Sequence, residues 1–423
     1  MLLNQAVRMR IPVLSRACIL LSILLFLAGL TEQAGAEDWP NLRGPNHDGI
    51  SAEKLHLDKG TSVQMLWQKN MGVGCSSVAI VGGRLYTMSN TGVKGDPNTH
   101  EDVVYCLAAD TGRQIWRHTY KCGLNFKSNT PGGPFATPAV DGDRVYTFSR
   151  KGDVFCLDTK TGKVLWHRDV KEELALPPPF QGGFAGSPLV EDKMVILNAG
   201  GAGTALDKLT GKVVWVSEKE DAAQATPVPF QIGDRQCIAV FSGFGIVAVN
   251  ASDGKELWRY PWDTKYKTNV ADPIIAGDRV FISTWYTMGC AMLDISSGQP
   301  VLLWQNKEMQ NHYSTCILWD GHLYGFDVAK LKCMNFTTGE IKWTLEGGFG
   351  RGSLMMADGK LVVLTEKGTL LIGDASPVSF RPILQAETID GKFFTGPVLC
   401  NGRIYIRNLT GDLACVALAE DGQ

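Results

Sequence analysis

The chain has 423 residues, of which 44% are hydrophobic and 20% are charged, and its formal net charge is −2. This is an ordinary globular composition, and it lacks the basic excess that nucleic-acid-binding surfaces require. The 47 glycines indicate a fold with many tight turns, because glycine reaches positive φ without a steric penalty.

The N-terminal segment 1–36 has the pattern of a secretory signal. Arginines precede the apolar run 17–30, and Ala34-Gly35-Ala36 provides small residues for cleavage. The alternative is an uncleaved membrane anchor, but the run is shorter than the roughly 20 residues that span a bilayer. We therefore expect an exported protein, periplasmic or extracellular, with an irregular lead-in over 37–62 and a folded domain over 63–423.

Two phrases then recur along the chain. The first is cleanest from Asp158 to Trp166 and predicts a strand end, a turn with Gly at the left-handed position, and a strand that closes on Trp. The second is a small residue, often followed by Pro, then an apolar pair, a Gly turn and an aromatic strand. Copies of the first phrase begin at Asp110, Asp158, Asp207, Asn250, Asp294 and Asn335, and copies of the second begin at Ser77, Thr137, Ser187, Thr226, Asp272, Ser314, Ser353 and Gly396.

Together the two phrases define eight units of four short strands each. A repeat of roughly 40 to 50 residues with four strands per unit is typical of a β-propeller. The eighth unit lacks a fourth strand, whereas the strand Val63 to Trp67 has no unit of its own. Pairing the two would close the ring and remove an exposed sheet edge. We therefore predict an all-β, eight-bladed propeller closed by its N-terminal strand, with a degenerate seventh blade that lacks a Trp.

The recurring Trp and Cys residues have structural explanations. We interpret the Trp residues that end the first phrase as packing between blades at the outer strands, each with its N–H on a carbonyl; they are Trp67, Trp116, Trp166, Trp215, Trp258, Trp304 and Trp343. Cysteine recurs at one repeat position, which predicts a small buried filler; these residues are Cys106, Cys156, Cys333 and Cys415. Cys75 and Cys122 lie in neighbouring loops and are the one pair whose bonding we would test.

These phrases resemble the pyrroloquinoline-quinone-type propeller repeat, over about 66–418. The lead-in phrase 39–51 and the stretch 375–382 look like those of secreted propellers of planctomycete-type bacteria. The resemblance implies an eight-bladed propeller with a tryptophan docking girdle. It also implies one of two functions: a quinone- and calcium-dependent alcohol or polyvinyl-alcohol dehydrogenase, or a non-enzymatic scaffold that binds proteins. The chain has no adjacent cysteines and no C-x-x-C-H motif for attaching a haem, so we favour the binding or scaffold module.

The sequence places a group of aromatic and cationic residues in the loops at one end of the channel. We expect these loops to bind a ligand, because a rigid scaffold positions them. An anionic planar ligand, a sugar or an acidic peptide would suit them; alternatively, the aromatic residues only pack the loops together. The group comprises Lys127, Lys265, Lys267, His312 and Arg351 beside Phe184, Trp262, Trp285, Tyr286 and Phe394.

Asp272 stands where the other units carry Ser, Thr or Gly, at the channel end of a first strand. A carboxylate there is a candidate base or metal ligand, or else it bonds backbone. Under the dehydrogenase reading, the resemblance implies a quinone stacked on Trp262 or Trp285 and Asp272 as the base. The remaining cofactor-binding candidates are Lys127, Lys267, Asn269, His312 and Arg351. The His residues show no zinc spacing, and phosphate-loop and serine-hydrolase motifs are absent.

Overall fold

The computed structural model describes residues 37–420 apart from residues 59, 94, 125–131, 178 and 180–182. In that part of the chain there are 33 β-strands. The helical elements described are α1 (Val170–Leu174) and a 3-10 turn at Pro97–Thr99. None of the described helices is long and apolar enough to cross a membrane.

The strands follow one another along the chain in groups of four. The first two are β1 (Ile50–Ser51) and β2 (Thr61–Asn70). Blades one to four contain β3 (Ala79–Val81), β4 (Arg84–Asn90), β5 (Glu101–Ala108), β6 (Gln114–Lys121), β7 (Ala139–Asp141), β8 (Arg144–Phe148), β9 (Asp153–Asp158), β10 (Val164–Asp169), β11 (Leu189–Glu191), β12 (Met194–Leu197), β13 (Thr204–Asp207), β14 (Val213–Val216), β15 (Val228–Ile232), β16 (Arg235–Phe241), β17 (Gly245–Asn250) and β18 (Glu256–Pro261). Blades five to eight contain β19 (Ile274–Ala276), β20 (Arg279–Thr284), β21 (Gly289–Asp294), β22 (Val301–Asn306), β23 (Ile317–Trp319), β24 (His322–Asp327), β25 (Lys330–Asn335), β26 (Ile341–Leu345), β27 (Ser353–Ala357), β28 (Lys360–Leu364), β29 (Thr369–Asp374), β30 (Leu384–Glu387), β31 (Val398–Cys400), β32 (Arg403–Arg407) and β33 (Asp412–Glu420).

Each group forms its own antiparallel sheet, which gives eight blades and confirms the predicted propeller. Ring closure is also confirmed, because β2 pairs with β33 over its whole length, from Thr61 opposite Glu420 to Asn70 opposite Asp412. The N-terminal strand is therefore the fourth strand of the eighth blade. The apolar core lies between neighbouring blades, where strand faces pack on each other.

The turn of the first phrase forms as its residues predict. The Asp158 side chain accepts hydrogen bonds from the N–H groups of Lys160 (3.1 Å) and Thr161 (2.7 Å). Gly162 has a φ of +71° and donates its N–H to the Asp158 carbonyl at 2.9 Å. A residue with a Cβ would be strained there, and its Cβ would lie 2.6 Å from the ring of Trp116 in the preceding blade. The turn thus fits against the neighbouring indole.

Six of the seven Trp residues that end the phrase connect one blade to the next. Each donates its indole N–H to a backbone carbonyl of the following blade: Trp67 to Ala109 (3.0 Å), Trp116 to Thr159 (2.9 Å), Trp166 to Lys208 (3.0 Å), Trp215 to Ala251 (2.9 Å), Trp304 to Thr337 (2.7 Å) and Trp343 to Ser376 (2.8 Å). Trp258 is the exception: it is buried, and its N–H has no partner among the described residues.

The seventh blade lacks the Trp, as predicted, and another aromatic residue takes part in its packing. Its fourth strand β30 pairs with β29 from Ile372 opposite Leu384 onward. Phe380, before that strand, is buried and stacks on Trp343 of the sixth blade, with ring centroids 6.3 Å apart. The long turn therefore contributes an aromatic ring to the inter-blade packing.

The cysteines behave as the repeat register predicts. Cys106, Cys156, Cys333 and Cys415 are all fully buried in the blades, which confirms their role as apolar filler. The ten cysteines of the described chain are free thiols. Cys75 and Cys122, in neighbouring loops, are therefore not joined.

Residues 39–53 of the lead-in pass around the channel and contact several blades. Trp39 exchanges two backbone hydrogen bonds of 2.7 Å with Ile80 of the first blade, and the Pro40 carbonyl accepts from Val140 of the second blade. Asn41 and Leu42 lie beside the third and fourth blades. These contacts are at the C-terminal ends of the first strands, so the lead-in lies opposite the loops that join successive blades.

The second half of the lead-in completes this circuit. Strand β1 pairs in parallel with β27 of the seventh blade, which extends that sheet to five strands. The carboxylate of Glu53 then accepts hydrogen bonds from the N–H groups of Asn401 (2.6 Å) and Gly402 (2.7 Å) in the eighth blade. The segment 39–53, which we name the strap, therefore lies across one end of the channel.

The exception among the Trp residues provides a matched pair of variants. Trp215→Phe removes an indole N–H and leaves the buried Ala251 carbonyl without its partner, whereas Trp258→Phe removes an N–H that has no partner. We expect Trp215→Phe to lower the free energy of unfolding by about 1 to 3 kcal/mol more than Trp258→Phe does. Urea denaturation measures both. If both variants lose the same free energy of unfolding, the indole hydrogen bond does not stabilise the protein beyond the packing of the ring.

Candidate functional site

A partial circle of hydrogen bonds links the first six blades at the channel wall. In each link, a backbone N–H at the start of one first strand donates to a side-chain oxygen at the same position of the next blade. The links are Ser77 to Thr137 (3.0 Å), Thr137 to Ser187 (2.9 Å), Ser187 to Thr226 (3.2 Å), Thr226 to Asp272 (2.7 Å) and Asp272 to Thr315 (2.8 Å). This circle explains why Ser and Thr recur there, and it shows that Thr315, one residue after the predicted Ser314, occupies the sixth position.

Asp272 takes the place of a hydroxyl in this circle. Its Oδ1 accepts from the Thr226 N–H, which is the backbone bond we weighed as the alternative to a chemical role. The side chain is 7% exposed. Burial raises the pKa of Asp272 to about 6, although the charge of Arg43 and the Thr226 N–H both act to lower it. Ser and Thr complete the same link elsewhere with a single oxygen, so the second carboxylate oxygen of Asp272, Oδ2, is not needed for this hydrogen bond.

A cavity of about 160 Å³ lies in the channel between the strap and the loops that join the blades. Arg43 and Leu42 of the strap form its base, and Asp272 lies in its wall. Its other walls carry hydroxyl groups, the Gln224 amide, the Cys75 thiol and apolar side chains; the hydroxyl-bearing residues include Ser187, Thr226, Ser314, Thr315 and Ser353, and the large apolar or aromatic ones include Phe135, Val270, Tyr313, Leu354 and Phe394. The channel is therefore closed below and lined by a mixed surface.

Above this cavity, five side chains from the fifth to the eighth blade form a continuous stack, which we name the aromatic ladder. It consists of Trp285, Tyr286, His312, Tyr313 and Phe394. Ring centroids are 4.7 Å apart for Trp285 and Tyr286, 4.2 Å for Trp285 and His312, 3.7 Å for His312 and Tyr313, and 4.2 Å for Tyr313 and Phe394. Tyr313 and Phe394 also line the cavity, so the ladder borders its upper opening.

Two cations lie on the ladder. The Arg351 guanidinium carbon is 5.0 Å from the ring centroid of Trp285 and 5.8 Å from that of Tyr313, and the Lys392 ammonium is 5.3 Å from Phe394. These distances are in the range of cation–π attraction. Lys392 also pairs with Glu366 at 2.9 Å, whereas the Arg351 guanidinium has no carboxylate within ion-pair distance in the described chain. The Arg351 guanidinium therefore forms no ion pair in the described chain, although the backbone N–H of Arg351 donates to the Glu366 carboxylate at 2.7 Å and the two charges attract.

His312 is a neutral member of the ladder at neutral pH. It is buried, and burial together with the Arg351 charge lowers the pKa of His312 to about 3. Its Nε2 lies 3.5 Å from the Tyr286 hydroxyl, and its Nδ1 has no partner among the described residues. His312 therefore contributes a flat polar ring to the stack and no charge.

The other predicted residues are placed differently. Trp262 is 2% exposed, packs in the core between blades and donates to the Thr284 hydroxyl at 3.2 Å. The amide of Asn269 is fully buried: it donates to the Ser242 carbonyl at 2.7 Å and accepts from Thr284 at 2.8 Å. Lys267 is exposed and pairs with Asp221 at 2.5 Å.

Of the remaining candidates, Phe184 is buried against Phe148 and Lys265 is exposed beside Tyr266. Lys127 lies outside the described residues. The structure thus brings together Trp285, Tyr286, His312, Arg351 and Phe394, and it separates Trp262, Asn269 and Phe184 from them by burying these three in the blades.

The quinone and calcium implied by the resemblance do not fit the channel cavity. A tricyclic tricarboxylate is a drug-sized ligand, and such ligands occupy about 300 to 1,000 Å³, whereas the cavity measures about 160 Å³. Trp262 has no free face to stack on, and the amide oxygen of Asn269 is already engaged. Within the described ranges no three His, Cys, Asp or Glu side chains come together as a metal site.

Arg43 is the residue that sequence reasoning missed. Its guanidinium donates to the backbone carbonyls of His47 (3.0 Å), Asp48 (2.7 Å) and Cys316 (3.2 Å). Nothing in its sequence neighbourhood sets it apart, because it lies in a segment without periodicity that we interpreted as irregular. Only the path of the strap brings it beneath the channel.

The fold and the repeat contacts define the class: an eight-bladed propeller of the pyrroloquinoline-quinone type. A family model described as "Outer membrane protein assembly factor BamB" matches residues 100–345, which is more than half of the chain. The chain belongs to this family.

Individual relatives are more distant. The chain is 26% identical over 262 residues to the outer membrane protein assembly factor BamB of Burkholderia pseudomallei, a match that covers 57% of this chain and 59% of that protein. It is 27% identical over 212 residues to the tetrathionate hydrolase of Acidithiobacillus ferrooxidans, covering 46% of this chain and 40% of that protein. The chain thus spans well under two thirds of both relatives.

Solved structures show the same fold. BamB from Moraxella catarrhalis is similar with a TM-score of 0.63 at 14% identity, covering 84% of this chain and all of that one. A europium-containing methanol dehydrogenase is similar with a TM-score of 0.66 at 13% identity, covering 93% of this chain and all of that one. Because BamB and a methanol dehydrogenase share this fold, the similarity establishes the architecture of the chain and not its activity.

The raised pKa of Asp272 predicts how its contribution to stability depends on pH. The folded protein holds the proton up to about pH 6, whereas the unfolded chain releases it near the usual pKa of 3.8. The stability contributed by protonated Asp272 is therefore fully present below about pH 4 and is lost as the pH rises through about 6.

Asp272→Asn keeps an oxygen for the Thr226 N–H and cannot titrate. We expect the free energy of unfolding of the wild type, minus that of the variant, to fall between about pH 4 and about pH 6 and then to stay constant. Urea denaturation across this range measures it, and His312, present in both proteins, cancels from the difference. A difference that is flat with pH would contradict the raised pKa.

Proposed function

We propose that the chain is an exported binding or scaffold propeller that holds an acidic, aromatic-containing segment of a partner protein on the aromatic ladder. One observation supports this most: the ladder is a continuous stack from the fifth to the eighth blade whose Trp285, Tyr286 and Tyr313 are partly exposed, and the Arg351 guanidinium above it forms no ion pair in the described chain. Aromatic residues and Arg are the side chains that dominate protein interfaces. The assembly-factor relatives favour a protein partner over a small substrate.

The polarity of the ladder argues for an acidic segment. Arg351 lies above Trp285 and Tyr313, and the exposed Lys265 lies beside Tyr266, whose ring contacts Tyr286 at 5.2 Å. A carboxylate of the partner segment would form ion pairs with these cations, and a neighbouring aromatic side chain of the segment would pack against the edges of the ladder rings. A glycan would use the aromatic faces but would leave the cations without partners.

The test is the selection of peptides from a displayed random library on the full chain, followed by fluorescence anisotropy of the selected peptides. We expect peptides rich in Asp, Glu and aromatic residues. Trp285→Ala and Arg351→Ala should each weaken binding at least tenfold, because truncating a central aromatic or Arg anchor costs about 2 kcal/mol or more. Added salt should also weaken binding to the wild type.

Trp319→Ala is the matched control. Trp319 is an exposed Trp in the sixth blade, at the hairpin between its first two strands and therefore on the opposite end from the ladder. If Trp319→Ala weakens binding as much as Trp285→Ala does, the ladder is not the binding surface. If glycans bind and acidic peptides do not, the partner class is wrong.

The competing proposal is a quinoprotein dehydrogenase, as the names of the relatives that are alcohol or polyvinyl-alcohol dehydrogenases suggest. Titrating the protein with the quinone and calcium, while following quinone absorbance and tryptophan fluorescence, separates the two. We expect no saturable change in either. Saturable binding together with oxidation of alcohols would replace the scaffold proposal with the enzymatic one.

A further inference from the structure

We infer that the cavity between the strap and the ladder, hereafter the channel cavity, is a binding site for a small organic carboxylate, and that binding is accompanied by protonation of Asp272. This inference does not rest on the proposed function. It arises from the polar atoms that the channel wall leaves without partners, and these atoms belong to the strap and to the circle of hydrogen bonds.

The first of these atoms is Nη1 of Arg43. The Nε and Nη2 atoms of the same guanidinium are committed to the carbonyls of His47, Asp48 and Cys316. Nη1 has no hydrogen-bond partner among the described residues, and it is not one of the side-chain atoms sealed away in the protein. Because Arg43 lines the cavity, Nη1 offers two uncommitted N–H donors to a ligand there. Burial lowers the pKa of the Arg43 guanidinium, and the charges of Asp272 and Asp48 act to raise it.

The second set consists of hydroxyl groups. Ser187, Thr226 and Thr315 line the cavity, and each hydroxyl oxygen already accepts a backbone N–H of the preceding blade. A hydroxyl that accepts one bond still has its own O–H to donate. These three side chains therefore add donors to the wall above Arg43, and donors around a confined space favour an anion.

The exception in this wall is the second oxygen of Asp272. Its Oδ1 is engaged by Thr226, whereas Oδ2 has no partner among the described residues and is not sealed from the cavity. A second anion in the cavity raises the cost of keeping Asp272 ionised. Once protonated, Asp272 donates a hydrogen bond to the bound carboxylate where it would otherwise repel it.

Asp272 is the group near the cavity whose charge changes around pH 6. Burial raises the pKa of both Cys75 and Tyr313, which line the cavity, to about 12. Burial also raises the pKa of Cys316, beside Arg43, to about 12, and lowers that of His47 to about 4. Asp48, whose carbonyl accepts from Arg43, has a pKa that burial raises, but its side-chain oxygen Oδ1 caps the N–H of Ile50 and lies on the strap.

Size and wall chemistry define the ligand further. The volume of about 160 Å³ is equivalent to about five waters at roughly 30 Å³ each, which is below the range of drug-sized ligands. The donors lie at the base and middle of the cavity, and Phe135, Leu354 and Phe394 add apolar walls. A carboxylate with one short apolar or aromatic body would place its charge on Arg43 and its body against these side chains.

Benzoate is the probe, and benzamide is its neutral counterpart of nearly the same shape. Isothermal titration of the full chain should show benzoate binding that strengthens as the pH falls, by roughly fifteenfold in all between about pH 7.5 and about pH 6. Repeating the titration in buffers with different ionisation heats should show uptake of close to one proton per benzoate near pH 7. Benzamide should bind at least tenfold more weakly near pH 5.5 and show no pH dependence.

Two variants test the two ends of the site. Asp272→Asn should bind benzoate near pH 7.5 about as tightly as the wild type does near pH 5.5, with no proton uptake. Arg43→Gln should weaken binding at least tenfold at both pH values. Benzoate binding and peptide binding are both measured on these two variants and on the wild type, so that failure of this site and failure of the ladder as a peptide site are distinguishable.

Several results would overturn the inference. These are the absence of benzoate binding to the wild type at millimolar concentrations near pH 5.5, equal affinity at the two pH values, or proton uptake that persists in Asp272→Asn. If Arg43→Gln does not fold, Asp272→Asn still decides the matter, because its isosteric side chain retains the bond from Thr226 and removes only the titrating group.

Discussion

The bond between a backbone N–H and the side-chain oxygen of the next blade is the constraint on which the channel depends. The first strand of each blade lines the channel, and its opening N–H would otherwise be buried without a partner, at a cost of about 1 to 3 kcal/mol. In the first five blades, a Ser, Thr or Asp at the same position of the following blade satisfies it. This requirement fixes the relative height of neighbouring blades, and it fixes which side chains face the channel.

At the outer rim, indole N–H groups hold the blades in a second way. An indole such as Trp166 bonds to a carbonyl of the next blade and lies beneath the turn glycine there, where a Cβ on Gly211 would be 2.8 Å from the ring. In the described chain, the first five blades are therefore held at the channel by a backbone donor, and six of the eight blades are held at the rim by an indole donor. Since both contacts use repeated residues, the repeat carries the architecture and leaves the chemistry to residues that occur once.

This division explains what could be predicted from the sequence. The eight blades, the closure by β2 and the buried Cys residues all depend on repeated residues, so each copy supported the others. Part of the ladder was also predictable, because Trp285, His312 and Arg351 fall in loops whose end of the propeller follows from strand order. Trp262 and Asn269 lie in another loop at the same end but are buried in the blades, and no local pattern distinguishes a loop side chain that packs inward from one that faces the mouth. The strap was least predictable, because its conformation is set by the channel that it crosses.

The ladder and the channel cavity share two side chains, and this connects whatever binds at either place. Tyr313 stacks on His312 and on Phe394 in the ladder, and both Tyr313 and Phe394 also form walls of the cavity. Packed aromatic rings have few alternative positions, because the protein interior has almost no free volume. A molecule in the cavity that shifts either ring therefore changes the surface offered above it. If a ligand in the cavity strengthens binding of a partner to the ladder, the partner must strengthen binding of that ligand by the same free energy, because coupling between two binding sites is reciprocal.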